Sequence, residues 1–553
     1  MVSETDKGCR IVEAATDGSG MIFLIDGTPV TGLAGFVGMG LFGAQPARFS
    51  PDGQREILCG LAPGNKITIM GDGALMSLPW AYPRELPDTA YFSPDGKHYV
   101  VARTLHGFSV AMDNMDRTSE EITPPQFSPD NSLEVHFKKD GARWRLMVND
   151  KPGDSYEEIT NGQLTQNIGP RGPQTVFSAD SKHYGFVATE SGQSFAVVDG
   201  KAGDKYPAVT SLTLSADGAH QAFAAKFADN KFQVVVDGKP QKAFTNFSSL
   251  LMSSDGLHTI YLASRSKSAT SAASAAAAGS ATTAGGAPAS TSPPGPLKFA
   301  VVDGVEQPVH IRVSSLVSSP SGAHTAYTAM DSGNYQVVVD GKPGPVYAYV
   351  GTEAITFSPD EKHFAYPVWE GDPTAGVTHS IVVDGVAKPN PGAGPPQAAH
   401  VYFSPDSQHT AYLTGDAFTI ARSSTGTPLQ SRKIAASYNV VIDGVMGPPF
   451  DIVAHDILNA TTDRNGPAIS SPASGANSPV VFSLDGKHSA YQARKNGKEF
   501  VVIDQVPQKA FDQVVAGPVR RSDGALEYLA GDTRGSDTSL YRVVVAGFSP
   551  ASK

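Results

Sequence analysis

Histidine and aspartate are the residue types whose spacing in this chain could do chemistry. Eight of the fourteen histidines stand three residues after a recurring Asp or, once, after Ser321: His98, His183, His220, His258, His324, His363, His409 and His488. Such pairs could bind a metal ion or transfer protons. The ligands of one ion must converge, however, whereas equivalent positions of a repeat diverge. We therefore predict that each His begins a strand and satisfies a turn or an Asp of its own repeat, with a pH-sensitive face as the minor alternative.

A second recurring element, Val-Val-Asp-Gly, places an Asp at fixed spacing, for example at Asp199, Asp237 and Asp384. These carboxylates could form acid–base pairs. Asp-Gly is also a strong signal for a short hairpin turn. Because these residues define the repeat, whereas a catalytic group should interrupt it, we interpret them as turn formers.

Residues outside the repeat pattern are better site candidates, because they lie in or beside the longest insertions. A metal ion or a carbohydrate is the ligand that such His, Asp and Trp residues would contact. Solvated loop residues are the simpler interpretation of the same set. The possible ligand-face residues are Trp369, Asp372, His379, His400, Asp416, His455, Asp456 and Asp463.

The elements that must position these residues are copies of one unit. Phe-Ser-Pro-Asp-Glu-Lys-His at 357–363 is followed about twenty residues later by Ile-Val-Val-Asp-Gly at 381–385. Eleven copies of the first element alternate with twelve of the second, at spacings as short as 35 to 39 residues. Each unit reads as four short β-prone runs separated by turns, without the periodicity of a helix. The sequence predicts an all-β β-propeller of four-stranded antiparallel blades.

The motif residues also carry a family resemblance. Phe-Ser-Pro-Asp-Gly-Lys-His at 92–98 and Phe-Ser-Leu-Asp-Gly-Lys-His at 482–488 resemble the WD40-like (PD40) blades of TolB-type β-propellers. Similar blades occur in the propeller domains of prolyl-oligopeptidase relatives. The resemblance covers nearly the whole chain and implies the fold but no activity, because these blades serve unrelated functions. It also implies a periplasmic or other extracytoplasmic location, although the given chain shows no signal peptide.

About eleven or twelve repeats exceed the four to eight blades of an ordinary propeller. We predict two rings of about six, with domains 1–248 and 249–553, or alternatively one large ring. In the sequence pattern the first repeat lacks its inner strand and the last lacks its outer strand. A strand within 28–36 is therefore predicted to complete the last blade and close the ring.

The connections are predicted to separate onto two faces. With strands a to d counted from the axis outward, the tight a–b and c–d turns share one face, and the b–c and d–a connections share the other. Insertions at 266–296, 370–378 and 414–436 are predicted to be b–c connections, and 455–477 a d–a connection. The Ala- and Ser-rich segment 266–296 is predicted to be a flexible loop. A ligand site is expected on this insertion-bearing face.

Composition narrows the function classes. The net charge of −11 argues against nucleic-acid binding, and no run of about eighteen apolar residues could insert into a membrane. Cys9 and Cys59 match no metal-ligand spacing, and no catalytic signature or cofactor motif occurs. The sequence favours a non-enzymatic scaffold that binds a partner, most simply a protein, through the insertion-bearing face. The alternative is a propeller-type lyase or hydrolase acting on carbohydrate or peptide at the channel mouth, which would require three or more converging polar groups.

Overall fold

A computed structural model shows the arrangement of the repeats. It describes residues 2–548 except for gaps at 6–7, 17–20, 26–27, 31–34, 37–46, 53, 63–65, 72–73, 77–88, 104–108, 114, 117–121, 161–174, 228–230, 266–296, 332, 352–354, 373–375, 393–395, 416–436, 454–479, 522 and 535–536. The described residues form β-strands and turns without a helix, and hence include no helix able to span a membrane.

The strands form twelve antiparallel sheets, numbered here in chain order, whose strands a to d pair in sequence order. Strand a is split into two pieces in sheets 2, 5, 9 and 11, and sheet 12 has three strands. Sheet 1 comprises Val2–Thr5, Gly8–Thr16, Met21–Ile25 and Thr28–Val30, and sheet 2 comprises Gly35–Phe36 with Ala47–Phe49, Glu56–Ala62, Lys66–Gly71 and Ala74–Met76. Sheet 3 comprises Thr89–Phe92, Tyr99–Arg103, Ser109–Met112 and Met115–Asp116. Sheet 4 comprises Gln126–Phe127, Glu134–Asp140, Arg143–Val148 and Lys151–Tyr156.

The remaining sheets follow the same order. Sheets 5 to 8 comprise Glu158–Thr160 with Val176–Phe177, Tyr184–Glu190, Gln193–Val198 and Lys201–Ala202; Ala208–Leu214, Gln221–Lys226, Phe232–Val236 and Lys239–Pro240; Asn246–Met252, Thr259–Arg265, Leu297–Val302 and Val305–Glu306; and Arg312–Ser318, Thr325–Asp331, Asn334–Val339 and Lys342–Tyr347. Sheets 9 to 12 comprise Tyr349–Val350 with Thr356–Phe357, Phe364–Asp372, Gly376–Val383 and Val386–Pro389; Pro396–Phe403, Thr410–Gly415, Tyr438–Ile442 and Val445–Met446; Ile452–Val453 with Val481–Phe482, Ser489–Lys495, Lys498–Ile503 and Val506–Pro507; and Gln513–Arg520, Leu526–Arg534 and Asp537–Val545. The predicted class, a propeller of repeated four-stranded antiparallel sheets, is confirmed.

The core lies between neighbouring sheets. Between sheets 8 and 9, for example, Ala326 and Val337 pack with Tyr366, Val368 and Val382, all of them buried. Each sheet packs against the next along the chain, and strands a and b of sheet 1 contact strands a and b of sheet 12. These contacts form one circuit through the twelve sheets, which favours the single ring. The number of rings and the boundary at residue 248, which falls within strand Asn246–Met252, stay predictions.

The predicted strand exchange between the chain ends is wrong. Thr28–Val30 pairs with Met21–Ile25 of its own sheet, and Val2–Thr5 supplies the inner strand that sheet 1 seemed to lack. The described part of sheet 12 does end at its third strand, as predicted. The two end sheets therefore meet by packing rather than by sharing a strand.

The insertion predicted at 455–477 as a d–a connection interrupts strand a instead. Ile452–Val453 and Val481–Phe482 both pair with Ser489–Lys495, so 454–479 interrupts the inner strand instead of joining strands d and a. In sheets 6 to 8 the same strand has a bulge, with Ser211, Ser249 and Ser315 at positive φ. Strand a of sheet 11 is therefore interrupted at the place where strand a of sheets 6 to 8 has its bulge.

The other insertions join strands b and c, as predicted. Segments 266–296 and 416–436 connect these strands in sheets 7 and 10, and the predicted flexibility of 266–296 falls outside the described residues. At 370–378 the two strands lengthen into a longer hairpin, which pairs Asp372 with Gly376.

Candidate functional site

The eight repeated histidines join the two tight turns of their own sheets. In each case the ring Nδ1 lies 2.5 to 2.8 Å from Oδ2 of the c–d turn Asp, as in His98–Asp113 and His183–Asp199. The backbone N–H of the following residue donates to Oδ1 of the same Asp. We call this arrangement the His–Asp clamp. The prediction that these histidines satisfy an Asp of their own repeat is confirmed.

The repeated aspartates shape the turns, as predicted. Asp199, Asp237 and Asp384 have φ of 48° to 51°, the left-handed region that Asp tolerates in a tight turn. In the a–b turns the Ser hydroxyl donates to the Asp carboxylate. Hydrogen bonds from Ser483 and Lys487 lower the pKa of Asp485 to about 2, so its carboxylate stays ionised near neutral pH.

The predicted ligand-face residues are described to different extents. Trp369 and His379 are direct cross-strand partners in sheet 9. Asp372 and His400 lie in strands of sheets 9 and 10, but their side chains are not described. The remaining predicted residues lie outside the described part of the chain: Asp416, His455, Asp456 and Asp463.

Trp369 belongs to a group of aromatic side chains at the insertion-bearing end of sheets 8 and 9. Tyr349 pairs with Trp369 across the strands, and their rings stack with centroids 4.4 Å apart. Tyr335 of sheet 8 meets Tyr349 edge-on at 5.3 Å, and His379 meets Trp369 edge-on at 5.6 Å. All four side chains are partly exposed. We call this group the aromatic ladder.

His379 is the polar member of the aromatic ladder. Its Nδ1 is buried and has no hydrogen-bond partner among the described residues. Burial lowers the pKa of His379, because an imidazolium ion loses hydration there. The ring is therefore neutral near pH 7 and packs edge-on against Trp369.

Hydrogen bonds between sheets hold the hairpins of the insertion-bearing face. Carboxylates from d–a connections accept backbone N–H groups of the next b–c hairpin at 2.7 Å: Glu157 from Ser191, Asp451 from Asn496 and Asp512 from Thr533. The b–c hairpins of sheets 5, 11 and 12 are thus held by the preceding sheet.

One group of potential metal ligands was missed by sequence reasoning. Glu134, His136 and Asp150 of sheet 4 offer ligand atoms within 4.8 Å of one another, the one such set of three found in the described part of the chain. It lies at the tight-turn end, because Glu134 begins strand b and Asp150 belongs to the c–d turn. The available signal was the departure from the repeat, since Leu133 takes the position of the clamp His.

Comparison with known proteins gives matches among solved structures only. No family model matches the chain, and no curated protein matches it. Among solved structures, a eukaryotic initiation factor is 10% identical over 68% of this chain and 94% of its own, with a TM-score of 0.32. The Dos1 propeller is 11% identical over 61% and 89%, with a TM-score of 0.27. TolB from Acinetobacter baumannii is 11% identical over 54% and 79%, with a TM-score of 0.23. What this chain shares with propeller structures is the repeated four-stranded antiparallel sheet.

Proposed function

We propose that this protein is a non-enzymatic β-propeller scaffold that binds a protein partner through its insertion-bearing face. The aromatic ladder is the observation that carries the proposal. Tyr and Trp dominate binding hot spots because they combine a large apolar area with few rotatable bonds. In the ladder these side chains are already ordered by one another, which reduces the entropy lost on binding.

The stacking within the ladder favours a protein over a sugar as the ligand. A sugar ring stacks on an open aromatic face, but Tyr349 already covers one face of Trp369. The partly exposed rings of the ladder offer apolar area to the side chains of a protein partner. The net charge of −11 favours a basic or neutral partner at low salt.

The alternative, a lyase or hydrolase, needs converging polar groups at the channel mouth. In the part of the chain that the structure describes, the one set of three metal-ligand residues lies instead at the tight-turn end of sheet 4. Among the described residues of the insertion-bearing face, no observation favours the enzyme. The extracytoplasmic location that the TolB resemblance implies stays a prediction.

The test compares two matched variants of the full chain. Trp369→Ala removes the centre of the aromatic ladder, whereas Tyr184→Ala removes a half-buried aromatic ring at the tight-turn end of sheet 5. A partner identified by proximity labelling is then titrated against both purified variants. We expect Trp369→Ala to weaken binding roughly 30-fold, the equivalent of a 2 kcal/mol hot spot, and Tyr184→Ala to leave it unchanged.

Three outcomes would overturn the proposal. These are equal binding by both variants, loss of binding only in Tyr184→Ala, and binding of one sugar class that raises the melting temperature of the wild type but not of Trp369→Ala. The last outcome would support the carbohydrate alternative. Circular dichroism on each variant separates lost binding from lost folding.

A further inference from the structure

Sheet 4 closes its tight turns without a His–Asp clamp. The backbone N–H of Glu134 donates to Oδ1 of Asn149 at 2.8 Å, and the Asn149 amide donates to the carbonyl of Ser132 at 3.0 Å. Asn149 therefore takes the place of the clamp Asp, and Asp150 stands where six of the eight clamped sheets have Gly. The side chain of Asn149 thus joins the two tight turns of sheet 4.

We propose that Glu134, His136 and Asp150 form a binding site for a divalent transition-metal ion. One imidazole and two carboxylates are ligands of Zn²⁺ and related ions. Bonds of about 2.1 Å place two ligand atoms of one ion at most about 4.2 Å apart. The observed limit of 4.8 Å lies within a small side-chain adjustment of that value.

The burial of the three residues supports a site rather than a chance surface group. His136 is only 3% exposed, and its Nδ1 lies 3.2 Å from Oε1 of Glu134. Burial fixes the ring of His136 in position beside the Glu134 carboxylate, so that the two ligand groups are already ordered next to each other. Glu134 is half-buried and Asp150 exposed, so the set opens to solvent on one side. An ion can enter there and keep water as a further ligand.

This site is independent of the proposed partner-binding face, because it lies at the opposite end of the sheets. Its test uses the full chain, stripped with a chelator and titrated with Zn²⁺ alone and Mn²⁺ alone by calorimetry. We expect one Zn²⁺ per chain at this site. Asp150→Asn and Glu134→Gln should each weaken Zn²⁺ binding at least about tenfold, since even residues behind the ligands have effects of that size.

The variants are chosen so that folding and binding can be separated. Asp150→Asn keeps the turn, because Asn tolerates positive φ and the side chain is exposed. His183→Gln, which breaks the clamp in sheet 5, is the matched control and should bind Zn²⁺ as the wild type does. Zn²⁺ should raise the melting temperature of the wild type and the control, but not of Asp150→Asn.

No binding, or equal Zn²⁺ affinity in the wild type, Asp150→Asn and Glu134→Gln, would overturn the proposal. Several weak ions per chain, reduced by His183→Gln but not by Asp150→Asn, would also overturn it, because they would assign the binding to the clamps.

Discussion

In sheet 8 the a–b turn and the b–c turn, at opposite ends of the sheet, differ in how closely a neighbouring sheet packs against them. Gly322 in its a–b turn has φ of +83°, and Gly333 in its b–c turn has φ of +85°. A Cβ atom on Gly322 would overlap Ser253 of sheet 7, whereas one on Gly333 would meet nothing within 4 Å. At Gly322 both the left-handed conformation and the neighbouring sheet exclude a side chain, whereas at Gly333 only the conformation does.

Hydrogen bonds account for the tightness of the turn end. Backbone N–H groups of successive a–b turns donate to the next turn: Asp180 to Ala216, Ala216 to Ser254 and Ser254 to Ser321, at 2.6 to 2.8 Å. At the opposite end, single carboxylates reach from one sheet to the next hairpin. The turn end therefore fixes the spacing of the sheets, and the opposite end leaves room for insertions.

The largest expected effect comes from replacing the two glycines. Gly333→Ala should cost about 1 kcal/mol, because a left-handed conformation is unfavourable for Ala. Gly322→Ala should cost about 3 kcal/mol, because overpacking against Ser253 adds to the same strain. Urea-unfolding midpoints of the full chain would measure both. Equal losses would contradict the contrast between the two ends.

A second prediction concerns Glu361, which completes the turn of sheet 8. That turn has Ser321 in place of Asp, and Glu361 of sheet 9 accepts hydrogen bonds from the Ser319 hydroxyl at 2.7 Å and the Ser321 N–H at 2.6 Å. Burial alone would raise the pKa of Glu361, but the hydrogen bonds from Ser321 and Ser319 outweigh burial and lower it. Glu361→Gln should therefore destabilise the protein by about 2 kcal/mol at pH 7.

The pH dependence gives this second prediction its control. Because the folded pKa is lowered, the stabilisation is present above the unfolded value of 4.5 and is lost as pH falls through the folded pKa. The difference between wild type and Glu361→Gln should shrink below about pH 4.5. Glu370→Gln, an exposed change in the same sheet, should have no such effect, and Ser321→Asp should partly restore stability to Glu361→Gln. A constant difference at all pH values would refute the role of the charge.

Contacts that recur from repeat to repeat could be predicted from the sequence. Contacts in which one sheet supplies a group that its neighbour lacks could not. The His and Asp of the clamps were assigned correctly because their spacing within one repeat already implies contact. The carboxylate that Glu361 lends to Ser321 was not predictable, because it crosses between sheets. Likewise Val2–Thr5 carries no turn motif, so its place as an inner strand appears only through pairing.

The candidate sites divide in the same way. Trp369 and His379 were predicted as ligand-face residues from their place beside an insertion, but their contact with Tyr335 and Tyr349 depends on how two sheets pack. Glu134 and His136 were not predicted because they lie away from the insertions, in a repeat of ordinary length. A missing clamp His, at Leu133, marks an irregular repeat without any change in length.

A smaller effect is expected from removing one clamp. The hydrogen bond to Asp237 raises the pKa of His220, so the clamp contributes most when the ring is protonated. Its stabilisation is fully present below the unfolded pKa of about 6.5 and is lost as pH rises through the folded pKa. His220→Gln should cost less than about 1 kcal/mol at pH 6, because the pair is partly exposed, and still less at pH 8. A loss that grows with pH would contradict this assignment.

The smallest effect is expected at His379. The pH dependence of its contribution to stability should have the opposite sign to that of His220, which lies at the other end of its sheet. Burial lowers the pKa of His379, so its contribution is present above about pH 6.5 and is lost as pH falls towards the folded pKa. His379→Gln should therefore reduce the loss of unfolding free energy at low pH. His220→Gln should instead remove a stabilisation that the wild type gains at low pH. Unfolding midpoints of both variants at pH 8, 7, 6 and 5 would measure the two slopes. If the stability difference from the wild type changed with pH in the same direction for both variants, the opposite pKa shifts of His379 and His220 would be contradicted.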